Sequence, residues 1–320
     1  MRSFHALEGF EPPTERLLLP DNITLLATHG SREIPSHFVL SEAFSDPEFG
    51  VARLKDFSDF GTGLVLEHFD PRSVITPPRY GRIGGDGNRG AAINRNFSNE
   101  AYAATFRSTN MSGVMPLWEK GDEPTEFQQM LLLDENHSTY FDKITAKVIE
   151  QLEQTTYGPI LFVDLHDTGD GRLLPDGSVT AVPKRIEKYG RTRFWEAVIG
   201  DKNGSTARPQ VTHEFTQALT SAYEQFGVPH DPSEILVNEY YKGGFVTGFI
   251  GERLPKKLVN IGIDPQQVAR INAIQLEIPR HRYMTDEAKQ DISPELIARE
   301  ALLQHRLLEA TGNAIRTLTL

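Results

Sequence analysis

The sequence predicts an α/β fold, a single domain whose central mixed, largely parallel sheet is flanked by helices. Three observations predict it. Short apolar runs of buried-strand length recur at 23–28, 159–165, 235–238 and 272–278. Stretches with apolar residues three and four apart alternate with them, the order expected of strand and helix units. Two of the strand runs end in a histidine, His29 and His166, at the carboxyl end where an open α/β sheet delivers side chains into a ligand crevice.

In chain order, residues 1–20 carry Pro12, Pro13 and Pro20 without a sustained period and predict an N-terminal arm, with the domain proper over 21–320. The first strand run, from Ile23 to Thr28, follows. The stretch 71–100 is polar and rich in Gly, Pro, Asn and Arg, long enough to predict site-forming loops. A helix is predicted over 137–154, where Phe141, Ile144, Val148 and Leu152 share one face and Gly158-Pro159 closes the segment before the next strand. A second is predicted over 212–226, with Phe215, Leu219, Tyr223 and Phe226 as its stripe, Gly227 at its end and Pro229 beyond. Ser293-Pro294-Glu295 supplies a cap, a first-turn proline and an acid suited to the helix dipole, opening a helix to about 315. No internal repeat and no Pro/Ser-rich linker divides the chain.

The chain has 320 residues, 38% of them hydrophobic, enough for a sizeable core. No run approaches the roughly 18 to 20 apolar residues that cross a bilayer. The first eight residues lack the basic-then-apolar order of a secretory signal, so a soluble, cytoplasmic protein is expected. The absence of cysteine excludes disulfides, thiolate metal sites and a cysteine nucleophile, so any metal is held by nitrogen and oxygen. A net charge of −11 opposes attraction to nucleic acid or anionic membrane. It leaves room for a small anionic substrate in a locally basic pocket.

Histidines at two strand ends argue for a catalytic metal, which needs a third protein ligand and an open position. Two acids compete for that place. Glu33 lies four residues after His29, but Gly30 and Pro35 bound the segment and prevent a regular helix from presenting both. Asp59, in the polar segment Ser58-Asp59-Phe60-Gly61-Thr62-Gly63, is preferred over Glu33. The alternative makes both histidines hydrogen-bonded strand ends and Asp59 a helix cap. Asp164 leaves the same strand face as His166 and either orients a histidine or caps a neighbouring turn. Glu277 is an acid inside an apolar strand run, a costly burial unless it is paired or sits near a cation. A general base explains it, against a salt bridge to Arg280 or Arg282.

Arg79, Arg82, Arg89 and Arg95, with Asn94, cluster along one polar stretch. Their planar forks suit a carboxylate or a developing oxyanion; the alternative is solvated loop charge. Gly85-Asp86-Gly87-Asn88-Arg89-Gly90 matches the spacing of a dinucleotide loop but has no strand before it and no helix after it. Lys242-Gly243-Gly244 lacks the spacing of a phosphate loop. Its double glycine is expected to let backbone approach the pocket closely.

These pieces, in order from about 25 to 287, resemble the N-formylglutamate amidohydrolase (deformylase) family. They are Thr28-His29-Gly30-Ser31-Arg32-Glu33-Ile34-Pro35, Ser58-Asp59-Phe60-Gly61-Thr62, Arg79-Tyr80-Gly81-Arg82 with Ile93-Asn94-Arg95, Val163-Asp164-Leu165-His166, Tyr241-Lys242-Gly243-Gly244-Phe245-Val246-Thr247, and Ala273-Ile274-Gln275-Leu276-Glu277 leading to Tyr283-Met284. The resemblance implies a fold similar to zinc carboxypeptidases, one Zn2+ held by His29, Asp59 and His166, Glu277 as base, and Asn94 and Arg95 with Arg79 or Arg82 gripping the substrate. The chain departs from its relatives at Asp167, where they often have Ser, and at Gly248-Phe249, where they often have Arg-His; its spacer between Arg82 and Ile93 is longer.

The expected activity is zinc-dependent hydrolysis of a small, anionic N-acyl amino acid, N-formyl-L-glutamate first. In it Glu277 and Arg82 act on the reacting atoms, and Arg79, Asn94, Arg95, Gly243 and Gly244 line the substrate. Co2+ or Mn2+ also suits the ligands. The alternatives are a zinc carboxypeptidase or another N-acyl amino acid deacylase, and, in a different class, a non-catalytic binder of an acidic metabolite.

Overall fold

A computed structural model describes residues 16–31, 33–38, 40–41, 59, 62–63, 66, 69–92, 95, 105–107, 116–168, 171–173, 179–181, 195–228, 230–279 and 310. Six strands form one sheet: β1 (Ile23–Leu26), β2 (Val74–Ile75), β3 (Ile160–Thr168), β6 (Ala197–Gly200), β7 (Ile235–Val237) and β8 (Ile271–Pro279), in the order β2-β1-β3-β8-β6-β7. All neighbours are parallel except β6 against β8. A separate antiparallel pair joins β4 (Gly171–Leu173) to β5 (Val179–Ala181). The helices are α1 (Glu126–Leu132), which continues through a π-helical turn (Leu133–Ser138) into α2 (Thr139–Gln154), then α3 (Pro209–Gln225), α4 (Phe245–Gly248), α5 (Leu254–Asn260) and α6 (Pro265–Val268). Among the described residues no helix is long and apolar enough to cross a membrane.

The two central strands are buried on both faces, which is why they lack apolar–polar alternation. Leu161, Val163 and Leu165 of β3, with Ile274, Leu276 and Ile278 of β8, pack on Phe215 and Leu219 of α3. On the opposite face Ile160 and Phe162, with Ile271 and Ala273, pack on Ile144 and Val148 of α2 and on Ile250 and Leu254. That second face turns polar halfway along. Its next β3 residues are Asp164, His166 and Thr168, and its next β8 residues are Gln275 and Glu277, in register as Asp164↔Gln275 and His166↔Glu277. A period of two along each strand thus assembles a row of polar side chains at the carboxyl end of one face.

All four predicted strand runs are strands of the sheet, the second extending to Thr168. β2, with two residues, is too short to display a run, whereas β6 is as long as β1 and is a strand that was not predicted. α1 was also missed, although Thr125 and Gln128 form a reciprocal capping box. The predicted helix over 212–226 begins earlier, with Pro209 in its first turn. The helix expected over 293–315 falls outside the described residues except at Ala310. Only 16–20 of the expected arm are described, and there Leu19 is buried in the core.

Candidate active site

His29 follows β1, where Gly30 N donates to Ala27 O at 3.0 Å and reverses the chain. A Cβ on Gly30 would stand 2.9 Å from Gly63 Cα. Glycine at both positions therefore lets the segment carrying Asp59 lie against the strand end. Asp59 N donates to His29 O at 3.0 Å, and Asp59 O accepts from Thr62 N at 3.0 Å and from Thr62 Oγ1 at 2.7 Å. So anchored, Asp59 Oδ2 lies 3.2 Å from His29 Nδ1 and 2.9 Å from His166 Nδ1, with the two rings 5.0 Å apart and edge to face.

Behind each imidazole stands another carboxylate. Asp86 Oδ1 hydrogen-bonds His29 Nε2 at 2.7 Å, and Asp164 Oδ2 forms an ion pair with His166 Nε2 at 2.9 Å, outside hydrogen-bond geometry. Arg82 Nη2 approaches His29 Nδ1. Because a guanidinium only donates, that nitrogen presents its lone pair inward and Nε2–H points to Asp86. A carboxylate on the outer ring nitrogen, fixing the tautomer and aiming the inner lone pair, is the usual support of a metal-bound histidine.

The donor set fits a metal. One ligand atom from each of His29, Asp59 and His166 lies within 4.8 Å of the others, and all three side chains are buried. Asp59 Oδ1 makes no hydrogen bond, although Arg82 Nη2 lies 3.0 Å away. Asp59, Asp86, Asp164, Asp167 and Glu277 are five buried carboxylates, and four of them, all but Asp164, act electrostatically on Arg82. Such a negative excess is costly in a dry site, and a divalent cation would offset it. The buried His29, Asp59 and His166 group could therefore hold a metal ion; two imidazoles and a carboxylate suit Zn2+, Co2+ and Mn2+ alike.

Charge within the cluster sets its protonation. Burial pushes the Asp59 carboxyl up, but Arg82, His29 and the bonds to both histidines hold it well below the ordinary carboxylate range. Burial disfavours charge on His166, yet Asp164 and Asp59 raise its pKa well above the usual histidine value. Asp86 is likewise lowered, burial being outweighed by His29, Arg82 and Arg89. One prediction follows from His166. As a metal ligand His166 would have to shed its proton, so uptake of a divalent metal at pH 7 should release about one proton, and apparent affinity should fall about tenfold per pH unit lost below neutrality. Calorimetry in buffers of different ionisation enthalpy reads that proton; uptake without proton release would contradict the assignment of His166 as a ligand.

Glu277 stands beside His166 in the strand register. Thr168 Oγ1 donates to its Oε2 at 2.7 Å and Gln275 Nε2 to its Oε1 at 2.6 Å. Burial raises its pKa, Asp59 adds to the shift, and His166 and the two hydrogen bonds oppose it. A carboxylate held above its usual value beside a candidate metal site has the properties of a general base.

The structure brings His29, Asp59, Arg82, Asp164, His166 and Glu277 together. Glu33 lies apart from the histidines, 3.5 Å from Arg79. Arg79 is 60% exposed and also pairs with Glu135, and its guanidinium lies over the Tyr80 ring. Arg95 is 74% exposed and lies 3.4 Å from Glu126; Asn94 falls outside the described residues. Gly243 takes a left-handed φ of 104°. Gly244 packs so closely on the Asn88 side chain that a Cβ would collide with it, and Asn88 Oδ1 accepts from Val246 N at 3.0 Å. The double glycine thus joins α4 to the loop carrying Asp86, since Asn88 N donates to Asp86 Oδ1 at 2.9 Å.

Asp86, Thr168 and Gln275 escaped the sequence reading. The one local sign of Asp86 is an acid between two glycines, inside the spacing that resembles a dinucleotide loop. That loop follows a 3-10 turn, Arg82–Gly84, rather than a strand.

No family model matches the chain, and no curated protein matches it in sequence. Among solved structures it is similar to an N-formylglutamate amidohydrolase from Ralstonia eutropha JMP134, with a TM-score of 0.60 and 16% identity over 93% of each chain. It also matches the gene product Atu2144 from Agrobacterium tumefaciens, with a TM-score of 0.47 and 14% identity over 91% of each chain. The likeness to the Ralstonia protein establishes the fold class, an α/β domain built on a mixed, mostly parallel sheet with helices on its faces.

Proposed function

We propose that this chain is a zinc-dependent amidohydrolase that cleaves the amide bond of a small N-acyl amino acid, with N-formyl-L-glutamate as the lead substrate and formate and glutamate as products. The observation that carries this reading is the buried His29, Asp59 and His166 group, each histidine backed by a carboxylate, with Glu277 beside it in the strand register. The activity named for the Ralstonia neighbour supports the choice of reaction.

His29, Asp59 and His166 would hold the zinc ion, which when bound would supply Lewis acidity toward the scissile carbonyl and the attacking water. Glu277 takes a proton from the water as its oxygen bonds to the acyl carbon, then passes that proton to the amine nitrogen as the C–N bond breaks. Arg82, held protonated by Asp59, Asp86, Asp167 and Glu277 despite its burial, faces the oxyanion that develops on the carbonyl oxygen. Asp86 and Asp164 keep the two imidazoles in the ligating tautomer. For the substrate carboxylates the candidates are Arg79, Asn94 and Arg95, of which Arg79 and Arg95 would exchange Glu135 and Glu126 for the substrate.

Purified protein should release formate from N-formyl-L-glutamate, lose that activity to a chelator and regain it with zinc. Release that a chelator leaves untouched would sink the metal-dependent mechanism.

One observation favours a second reading within the same chemistry. Arg79 and Arg95 are exposed and paired with glutamates of the chain itself, which suits a deacylase acting on N-acyl amino acids other than glutamate, or a carboxypeptidase. A panel varying acyl length and side-chain charge separates them, because a formyl pocket rejects bulk.

A further inference from the structure

The long helix that joins α1 to α2 widens into a π-helical turn at Leu133–Ser138. The buried positions of α1, Gln129 and Leu132, lead on to Asn136, four residues past Leu132. Those of α2, Phe141, Ile144 and Val148, lead back to His137, four residues before Phe141. Asn136 also lies four residues before the buried Tyr140, as His137 does before Phe141, so that adjacent polar residues both point inward. Both are buried, Asn136 at 2% and His137 at 9% exposure. Burying an amide and an imidazole at the sheet-facing side of a helix is unfavourable unless each finds partners.

Their partners lie on one loop. Asn136 Oδ1 accepts from Tyr80 N at 2.8 Å, and its Nδ2 donates to Tyr80 O at 3.2 Å and toward Gly85 O at 3.4 Å. His137 Nε2 donates to Arg89 O at 2.9 Å, its ring stacked on Phe141 with centroids 4.5 Å apart and flanked by Phe245. These anchors at residues 80, 85 and 89 bracket Arg82 and Asp86, the loop side chains that reach Asp59 and His29. Burial keeps His137 in the neutral form.

We infer that Asn136 and His137 are positioning residues: by clamping the backbone of loop 80–89 they hold Asp86 against His29 Nε2 and thereby set the metal affinity of the His29, Asp59 and His166 group. The inference rests on the metal-centre reading proposed above. Neither residue touches the reacting atoms. Both act through Asp86.

The test is zinc affinity, measured on folded metal-free protein by competition with a chromophoric chelator, with thermal melting recorded beside it. His137→Leu keeps the packing between Phe141 and Phe245 but loses the donor to Arg89 O. His137→Gln restores a donor at the same reach. Removing a group bonded directly to a metal ligand, as Asp86 is to His29, costs about 10-fold to 100-fold in metal affinity, and loosening what positions it costs no more than the lower end of that range. His137→Leu and Asn136→Ala are therefore expected to weaken zinc binding about 10-fold, with His137→Gln close to wild type. In an Asp86→Asn background the further loss should vanish, because residues acting through one another are not additive. If His137→Leu lowers the melting temperature but leaves the zinc affinity of the folded protein unchanged, the clamp is structural only and the inference fails. It fails equally if the losses add to that of Asp86→Asn. A wild type that takes up no zinc overturns the metal-centre reading itself, and this inference with it. Should Asn136→Ala not fold, the His137 pair carries the test alone.

Discussion

Glu277→Gln is expected to lower kcat/KM by about 100-fold or more while leaving zinc uptake intact, because it removes the proton acceptor and none of the candidate ligands. The same change should leave the fold as stable or more so. Burial raises the Glu277 pKa, so the folded state disfavours the ionised form. Stability contributed by this group is present below the unfolded value, about 4.3, and is lost as pH rises through the higher folded value. At pH 7 the variant lacks that cost. Its hydrogen bonds also have a solution. Thr168 can still donate to the remaining oxygen, and Gln275, whose own Oε1 has no partner, can turn its amide to accept from the new one. Melting temperature should therefore hold or rise at pH 7, with the difference from wild type narrowing below pH 5. Full activity in the variant would remove Glu277 from the mechanism.

Asp59→Asn is expected to abolish activity by the opposite route, through the metal and the fold together. Asp59 stands before both histidine Nδ1 atoms and within 3.0 Å of Arg82 Nη2. An amide there weakens a metal ligand, and zinc affinity should drop by more than the 10-fold to 100-fold typical of outer-shell changes. It also leaves Arg82 and His166 without a carboxylate they share, and breaking a buried charge pair from one side costs about 3 to 5 kcal/mol. The sign is that of a lowered carboxyl: the stability Asp59 contributes is present above its unfolded pKa, about 3.9, and lost as pH falls through the folded value. At pH 7 the variant should thus melt below the wild type even without metal. Two carboxylates within one site then give inactive variants with opposite stability. Equal zinc affinity in Asp59→Asn and wild type would exclude Asp59 as a ligand.

What was legible in the chain is what local chemistry encodes. The sheet-forming runs around His29, His166 and Glu277 carry their own apolar signature, because β3 and β8 are buried on both faces. A histidine directly after such a run lies at the strand's carboxyl end whatever the rest of the fold does. Asp164 and His166 share a face by the period of two alone. An acid in a buried run signals itself, because its burial demands a reason.

Tertiary structure alone decided which carboxylates meet those histidines. Sequence favoured Asp59 over Glu33 only by excluding a helix between Gly30 and Pro35, and Asp86 offered almost no signal. Asp59 is 107 residues from His166, and Asp86 is 57 from His29. Nothing local records a meeting across such separations. It depends on glycine contacts between Gly30 and Gly63, on Gly244 against Asn88, and on the hold of Asn136 and His137 over loop 80–89. The arginines were undecided for the same reason. A long flexible side chain takes its role from the acid it finds, and the fold directs Arg82 inward to Asp59 and Arg79 and Arg95 outward to surface glutamates. The sequence by itself determined the strands and the histidines at their ends, because those are properties of short segments. The carboxylates that hold and charge them belong to loops, whose course is set only when the whole sheet and its helices are packed.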